Sequence, residues 1–274
     1  MAWSCGAGVS ADIRTIPFIK ACAFGNDFLL IDAAHAPEDP AAFTRRICDR
    51  HYGVGADGVE WMSPSFSADI EIRLINADGS AAEISGNGTR CVAAYVCATR
   101  GKERIAILTG AGMKLCTLTA RRDSEYEFDA DMGEPVVDSE FALKLSSGEV
   151  RGFGVSMGNP HYVILVSEFP AGWQARSVEI QRSGHFKQGV NVVWVRPGSK
   201  NDVQARFFER GAGETQSSGT GSCCAAVAAI TAGRAASPVK VQTPGGVQTV
   251  RWESNKVTLR GTASLVCRGE VFLD

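Results

Sequence analysis

The chain repeats itself at one fixed spacing of 133 residues, and this repeat constrains the fold more than any other feature. The segment 85–91, SGNGTRC, aligns with 218–224, SGTGSCC. The same shift, without a gap, also aligns three other pairs of segments: Gly25-Asn26 with Gly158-Asn159, Val59–Trp61 with Val192–Trp194, and Arg73–Ile75 with Arg206–Phe208. Four segments in one register indicate an internal duplication. Two similar halves that meet about a pseudo-twofold axis leave a cleft between them, and equivalent residues approach that cleft from opposite sides.

The secondary-structure signals predict an α+β fold with two pseudo-symmetric halves. Strand-like runs are short and numerous, and most are bounded by Gly, Pro, Asn or Asp. Helical periodicity covers Pro40–His51, Gly88–Thr99 and Gly221–Arg234, and the last two segments are apolar on most faces. We therefore expect each half to be a curved, mostly antiparallel sheet around a buried central helix, with the active site in the cleft between the halves.

Composition narrows the classes of partner. The 274 residues carry a formal net charge of -2 and a pI near 6.1, which argues against a nucleic-acid-binding protein. The longest apolar run, 223–232, is too short to span a membrane. Residues 1–15 have no long apolar core, so we interpret them as an N-terminal extension before a first strand near Ile16–Ala21.

Cysteine usage predicts reduced thiols. The nine cysteines are odd in number and irregularly spaced, and no C-x-x-C pair occurs. This pattern favours a cytoplasmic protein without a disulfide framework or a metal site.

The predicted chemistry lies where each central helix begins. Ser85 and Ser218 each precede a Gly-x-Gly segment that opens a buried helix. Glycines let the backbone approach a ligand, and the free N–H groups of a first helical turn attract an anion. Two such helix ends aimed at one point would hold a carboxylate, with one side chain on each face of it. That arrangement suggests stereoinversion at the adjacent carbon, although each serine alone also suits a plain helix N-cap.

Several motifs make the sequence resemble diaminopimelate epimerase, over about residues 16 to 274. They are Phe24–Phe28, Asn76–Ser80, Gly86–Cys91, Met157–His161 and Glu209–Thr215. The resemblance implies a two-domain fold in which residues 16–121 plus 263–274 form the first half and 122–262 the second. It also implies epimerisation of LL- and meso-diaminopimelate without any cofactor or metal, a small amino-acid substrate, no membrane partner and a homodimer.

The resemblance assigns roles to individual residues. The family uses two cysteines as its acid/base pair, and both positions are serine here, Ser85 and Ser218. His161 and Glu209 match the family's residues that flank this pair. The reacting carboxylate would lie on the amides of four residues at the helix starts, Gly86, Asn87, Gly219 and Thr220. The remote end of the substrate would contact Asn26, Asn76, Asn159, Asn191, Glu209 and Arg210.

Two departures from the family leave alternatives open. A family glutamine is replaced by Gly58, and a serine hydroxyl is far harder to deprotonate than a thiol, whose reference pKa is about 8.5. The chain is then an epimerase impaired by its serines, or an isomerase or dehydratase of the same fold acting on a related amino acid. A third reading is a protein that binds diaminopimelate without reacting, either by nature or because its cysteines were replaced on purpose.

Overall fold

The computed structural model describes residues 14–273 and consists of two similar halves. Residues 1–13 of the predicted extension and Asp274 lie outside the described residues. The first copy of the repeated elements comprises strands β1 to β8 and helices α1 and α2: β1 Thr15–Ala23, β2 Asn26–Asp32, α1 Pro40–Cys48, β3 Gly58–Ser63, β4 Ile70–Asn76, β5 Ala81–Ala82, α2 Gly86–Arg100, β6 Arg104–Thr109, β7 Gly112–Arg122 and β8 Glu125–Gly133, the last of which lies within the predicted second half. A short 3-10 turn, Ala33–His35, follows β2.

The second half repeats these elements after two additional short strands. The elements are β9 Val136–Val137, β10 Phe141–Leu145, β11 Gly148–Ser156, β12 Pro160–Leu165, α3 Trp173–Arg182, β13 Asn191–Pro197, β14 Asp202–Glu209, β15 Gly213–Thr215, α4 Gly219–Thr231, β16 Val239–Thr243, β17 Gly246–Glu253 and β18 Lys256–Phe272. None of the helices in the described part of the chain combines the length and the hydropathy needed to cross a bilayer.

Strand pairing follows the repeat strand by strand. In the first half β2 pairs in parallel with β3, with Phe28 opposite Gly58. In the second half β12 pairs in parallel with β13, with His161 opposite Asn191, the positions 133 residues later. The parallel pair of β4 and β6 likewise corresponds to that of β14 and β16. The other pairings between strands are antiparallel, so the predicted class of a mostly antiparallel α+β fold is confirmed.

The two central helices lie in the hydrophobic core. Eleven residues of α2 and eleven of α4 are buried, including nearly the whole first turn of each helix. One apolar cluster continues from the strands around α2 to those around α4, so both halves share a core. Gly101 after α2 and Gly233 after α4 both adopt left-handed backbone conformations (φ of 67° each), as expected where a helix ends.

The last strand connects the halves. Residues 257–264 of β18 pair with β8, while residues 264–272 pair with β1 at the other end of the chain. The first strand is thus held between β2 and the end of β18. This arrangement brings the start of α2 and the start of α4 to a common position between the halves.

Candidate functional site

A cavity of about 50 Å³ opens beside the starts of α2 and α4. Both serines line it, Ser85 from the first half and Ser218 from the second. Nine of the residues predicted from the sequence line this cavity together: Asn26, Asn76, Ser85, Asn159, Asn191, Glu209, Arg210, Ser218 and Thr220. Gly86, Asn87, Gly219 and His161 do not line it but lie directly behind it.

The two helix starts touch each other through glycine. A Cβ placed on Gly219 would lie 2.7 Å from the Cα of Gly86, and one on Gly86 would lie 3.0 Å from the Cα of Gly219. These separations are shorter than a side-chain carbon tolerates, so only glycine allows this approach. The first turns of α2 and α4 therefore meet behind the cavity, and the positive ends of both helix dipoles converge there.

Each serine caps its helix. The Oγ of Ser85 accepts a hydrogen bond of 3.1 Å from the N–H of Gly88, and the Oγ of Ser218 accepts one of 3.1 Å from that of Gly221. Both serines have extended backbone conformations, as N-cap residues do. The N-cap interpretation is thus correct for both, and capping holds the hydroxyl groups at the cavity wall.

Ser218 also contacts a carboxyl group. Its hydroxyl donates a hydrogen bond of 2.6 Å to Oε1 of Glu209 on β14. Removal from water raises the pKa of Glu209, while the hydrogen bond from Ser218 acts in the opposite direction. A carboxylate this close can accept the serine proton, so the pair has the geometry of a hydroxyl with an adjacent base.

The neighbours of Ser85 differ from those of Ser218. The repeat places Asn76 where the second half has Glu209, and the amide of Asn76 donates to the hydroxyl of Ser80, 3.0 Å away. An amide does not accept a proton at neutral pH. The two serines are therefore equivalent in backbone position but not in their neighbours.

His161 lies behind Thr220. Its Nδ1 is 3.0 Å from the carbonyl oxygen of Asn159, and its Nε2 is 3.4 Å from Oγ1 of Thr220. The ring is 2% exposed, and burial lowers its pKa to about 4. The imidazole is therefore neutral near pH 7. It lies against Thr220, which lines the cavity, but does not line the cavity itself.

The amides on the first-half side form a buried chain. Asn26 donates to Oδ2 of Asp57 at 2.5 Å and accepts from Nδ2 of Asn87 at 3.2 Å. The amide oxygen of Asn87 accepts a hydrogen bond from the guanidinium group of Arg90, whose side chain is fully buried. These bonds hold the Asn87 side chain inside the protein.

The opposite end of the cavity is formed by second-half residues. The Oδ1 of Asn159 is buried without a hydrogen-bond partner among the described residues. Asn191 accepts from the backbone N–H of Arg210 at 2.9 Å. The guanidinium group of Arg210 donates to Gln188 and to the carboxylate of Glu83, which belongs to the first half.

Sequence reasoning missed Asp57 and Glu83, both of which line the cavity. The available signals were positional: Asp57 directly precedes Gly58, and Glu83 lies two residues before Ser85. Gly58 itself is buried in β3, where an added Cβ would lie 2.7 Å from the carbonyl oxygen of Ile75. A larger residue there requires a shift of β4. Among the described residues, no group of three His, Cys, Asp or Glu side chains is arranged to hold a metal ion.

Comparison with known proteins identifies the relatives of this chain. The family model described as diaminopimelate epimerase matches residues 18–137 and 153–266. The diaminopimelate epimerase of Pelotomaculum thermopropionicum is 37% identical, over 92% of this chain and 98% of that protein. That of Sphingopyxis alaskensis is 38% identical, over 92% of this chain and 96% of that protein.

Solved structures share the fold at lower identity. A hydroxyproline epimerase from Agrobacterium vitis superposes with a TM-score of 0.77 at 16% identity, covering 97% of this chain and 93% of that one. A probable proline racemase from Agrobacterium radiobacter gives a TM-score of 0.76 at 16% identity, covering 94% and 93%. Because the family model and close relatives span nearly the whole chain, the chain belongs to the diaminopimelate epimerase family.

Proposed function

We propose that this chain interconverts LL- and meso-diaminopimelate by exchanging the α-proton between two facing serines. One observation carries the proposal: Ser85 and Ser218 cap two helices whose first turns meet behind a single cavity. Family membership supports an amino-acid epimerase. Diaminopimelate is chosen because it has an amino-acid group at each of its two ends, and polar groups lie at both ends of the cavity.

The proposed reaction begins with the α-carboxylate of the substrate on the backbone amides of Gly86, Asn87, Gly219 and Thr220. Both helix dipoles then stabilise the negative charge that develops when the α-proton leaves. On the Ser218 face, the hydroxyl oxygen takes the α-proton while its own proton passes to Glu209. On the opposite face, the Ser85 hydroxyl donates a proton to the α-carbon, which inverts the configuration.

The remote amino-acid end of the substrate is proposed to occupy the part of the cavity formed by Asn76, Asn159, Asn191 and Arg210, with Asn26 at its border. The unpartnered Oδ1 of Asn159 suits an ammonium group. Arg210 suits a carboxylate because its guanidinium group offers paired donors. His161 keeps Thr220 in place at the helix start through its Nε2.

The serines are expected to make turnover slow. A helix N-terminus lowers a thiol pKa into the working range, whereas a hydroxyl remains far above it. We therefore predict that the Ser85→Cys, Ser218→Cys double variant accelerates epimerisation by at least about a hundredfold, within the range of general acid/base effects.

Solvent exchange tests this proposal. LL- and meso-diaminopimelate are incubated in D₂O with the protein and with the double variant, and deuterium at the α-carbon is followed by NMR. The Ser85→Ala, Ser218→Ala variant, which lacks both hydroxyl groups and with them both N-caps, is the matched control and should not exchange. Absence of exchange in both the protein and the cysteine variant would exclude the proposed epimerase. Tight binding without exchange would instead favour a binding protein, and a new product from another amino acid would favour a dehydratase or isomerase.

Further parts of the proposal concern the setting of the reaction. We infer that it needs no pyridoxal phosphate, that the protein acts in the cytoplasm and that it forms a homodimer, as the family resemblance suggests. The eight cysteines within residues 14–273 are all free, which agrees with a reducing compartment. Retention of exchange activity after hydroxylamine treatment and light scattering of the purified protein test the first and third points.

A further inference from the structure

Glu60 is an isolated carboxyl group inside the first half. It lies on β3, its side chain is 0% exposed, and both carboxyl oxygens lack a hydrogen-bond partner among the described residues. Its neighbours across the sheet are Leu30 on β2 and Leu74 on β4. A buried polar group without a partner is costly, so its presence calls for an explanation.

The carboxyl group lies under the first turn of α2. A Cβ placed on Gly88 would lie 3.0 Å from Cδ of Glu60 and 3.3 Å from Cβ of Ser85. Glu60 and Ser85 thus pack around the same glycine, whose N–H also binds the Ser85 hydroxyl. No hydrogen bond joins the two side chains in this conformation. A change of the Glu60 rotamer or one bridging water would connect the carboxyl group with that hydroxyl.

The repeat makes this position distinctive. The residue equivalent to Glu60 in the second half is Val193, which is apolar and buried. Conversely, the residue equivalent to Glu209 in the first half is Asn76. Glu60 in the first half and Glu209 in the second therefore both lie near the serine of their own half, but on strands that are not equivalent in the repeat.

We propose that Glu60 is the proton-transfer partner of Ser85, as Glu209 is of Ser218. The inference rests on the proposed two-serine exchange. When the Ser85 oxygen takes the α-proton, its hydroxyl proton moves to the Glu60 carboxylate, and the electron pair of the broken C–H bond stays on the α-carbon. In the reverse direction the Glu60 carboxylic acid returns a proton to Ser85, which gives its own to the α-carbon. Glu60 acts through Ser85 and does not touch the substrate.

The electrostatic environment suits both protonation states. Burial raises the pKa of Glu60 to about 8, close to the pH at which a proton-transfer group works best. A titratable neighbour on α2 is Cys91, whose pKa is raised mainly by burial and to a smaller extent by the charge on Glu60. The facing residues on β2 and β4, Leu30 and Leu74, are uncharged.

Exchange resolved by stereochemistry provides the first test. Glu60→Gln is expected to slow deuterium exchange at least about tenfold for α-protons on the Ser85 face, while Glu209→Gln slows the opposite face. Glu60→Leu should show the same loss together with a higher thermal midpoint, since an unpaired carboxyl group is removed. A merely structural Glu60 would instead leave exchange from the two faces in its original ratio. Met62→Leu, on the same face of β3, is the matched control and should change neither rate.

A measurement without turnover separates failure of this inference from failure of the proposed function. The ¹³C carboxyl resonance of Glu60, assigned by comparison with Glu60→Gln, is titrated in the protein and in two serine variants. Ser85→Ala should shift the Glu60 midpoint by at least about 0.3 pH units, and Ser218→Ala should leave it in place, because only Ser85 adjoins Glu60. Equal midpoints in all three proteins would overturn the coupling even if the protein exchanges α-protons. If no form of the protein exchanges α-protons, the proposed function fails irrespective of this titration.

Discussion

Two buried side chains near the cavity prefer their uncharged forms. Their contributions to the free energy of unfolding change with pH in opposite directions. Burial raises the pKa of Glu60 from 4.5 to about 8, so the folded protein retains a proton that the unfolded chain loses. The contribution of Glu60 to the free energy of unfolding is present at low pH and is lost as pH rises through 8. Burial lowers the pKa of His161 from 6.5 to about 4. Its contribution is present above pH 6.5 and is lost as pH falls towards 4.

These opposite slopes give a prediction for Glu60→Leu. Relative to this variant, the free energy of unfolding of the unaltered protein should fall by about 1.4 kcal/mol per pH unit between pH 4.5 and about 8. Between pH 4.5 and 6.5 the two residues offset each other, so the variant should reveal the His161 slope and become more stable as pH rises. Urea unfolding curves at intervals from pH 5 to 8 measure both effects. Parallel pH profiles for the two proteins would contradict the assignment of a raised pKa to Glu60.

At this scale the sequence predicted the residues whose motifs occur in turns and helix starts. Ser85, Ser218 and Asn159 were singled out because their motifs recur at turns, where packing makes few demands. Asn191 followed from the family resemblance, and the roles of all four residues stay predictions. Glu60 could not be found, since an acidic residue between Val59 and Trp61 usually faces solvent on one side of a sheet. Here β3 is covered on both faces, so both Glu60 and its neighbours are buried. Burial of this kind depends on tertiary contacts and leaves no local pattern.

At the scale of elements, the contact between α2 and α4 is the feature on which the site depends. The helices meet through Gly86 and Gly219, and their caps place the two hydroxyl groups at one cavity. Apolar periodicity predicted these helices two residues too short at the start, because the glycines of the first turn are not part of an apolar stripe. The structure begins them at Gly86 and Gly219, immediately after the capping serines.

Substitution at the contact tests its importance. We predict that Gly86→Ala and Gly219→Ala each destabilise the fold by about 1–3 kcal/mol, because the added carbon overpacks the facing backbone. Each should also reduce α-proton exchange strongly by moving the serines apart. Gly101→Ala is the control: it adds strain in a left-handed position, but nothing lies within 4 Å of the added carbon. Calorimetry and exchange rates distinguish the two cases, and unchanged exchange in Gly219→Ala would show that the approach of the helices is dispensable.

Helices α1 and α3 show the limits of local pattern. Helix α1 ends at Cys48 and not at His51, because Asp49 adopts an extended conformation and accepts hydrogen bonds from the next turn. Helix α3 was not predicted, since only Trp173, Ser177 and Ile180 are buried on it and its other residues are largely polar. The repeat would have found it, because Trp173 lies 133 residues after Pro40, where α1 begins.

At the scale of the whole molecule, the halves are joined across the cavity by an ion pair. The carboxylate of Glu83 in the first half lies 3.1 Å from the guanidinium of Arg210 in the second. If Arg210 binds the remote carboxylate of the substrate, Glu83 competes with that carboxylate for the same donors. The repeat places the uncharged Gln216 at the position equivalent to Glu83.

This competition predicts the effect of Glu83→Gln. The variant should bind diaminopimelate a few-fold more tightly, within the range of about 0.2–1 kcal/mol that exposed ion pairs contribute. Isothermal titration with the Ser85→Ala, Ser218→Ala background measures binding without turnover. Glu83→Asp, which retains the charge, should show a smaller change. Weaker binding by Glu83→Gln would mean that Glu83 orients Arg210 for the ligand and does not compete with it.

The duplication and the family motifs were sufficient to predict the α+β class and the two-half arrangement. The division at residues 121 and 263 stays a prediction, which limited proteolysis would test. The sequence could not predict which groups join the halves, because the contact between Glu83 and Arg210 depends on how far the cleft closes. Alignment of one half with the other does not reveal which residues of the two halves contact each other.

The pairing of the first and last strands also has a consequence for how the protein is made. Thr15 lies opposite Phe272, so β1 leaves the ribosome long before its partner exists. Until residues 264–272 are translated, one edge of the first sheet has unpaired backbone groups, and such edges are prone to aggregation. A product that ends before residue 264 therefore lacks the pairing that closes the first half.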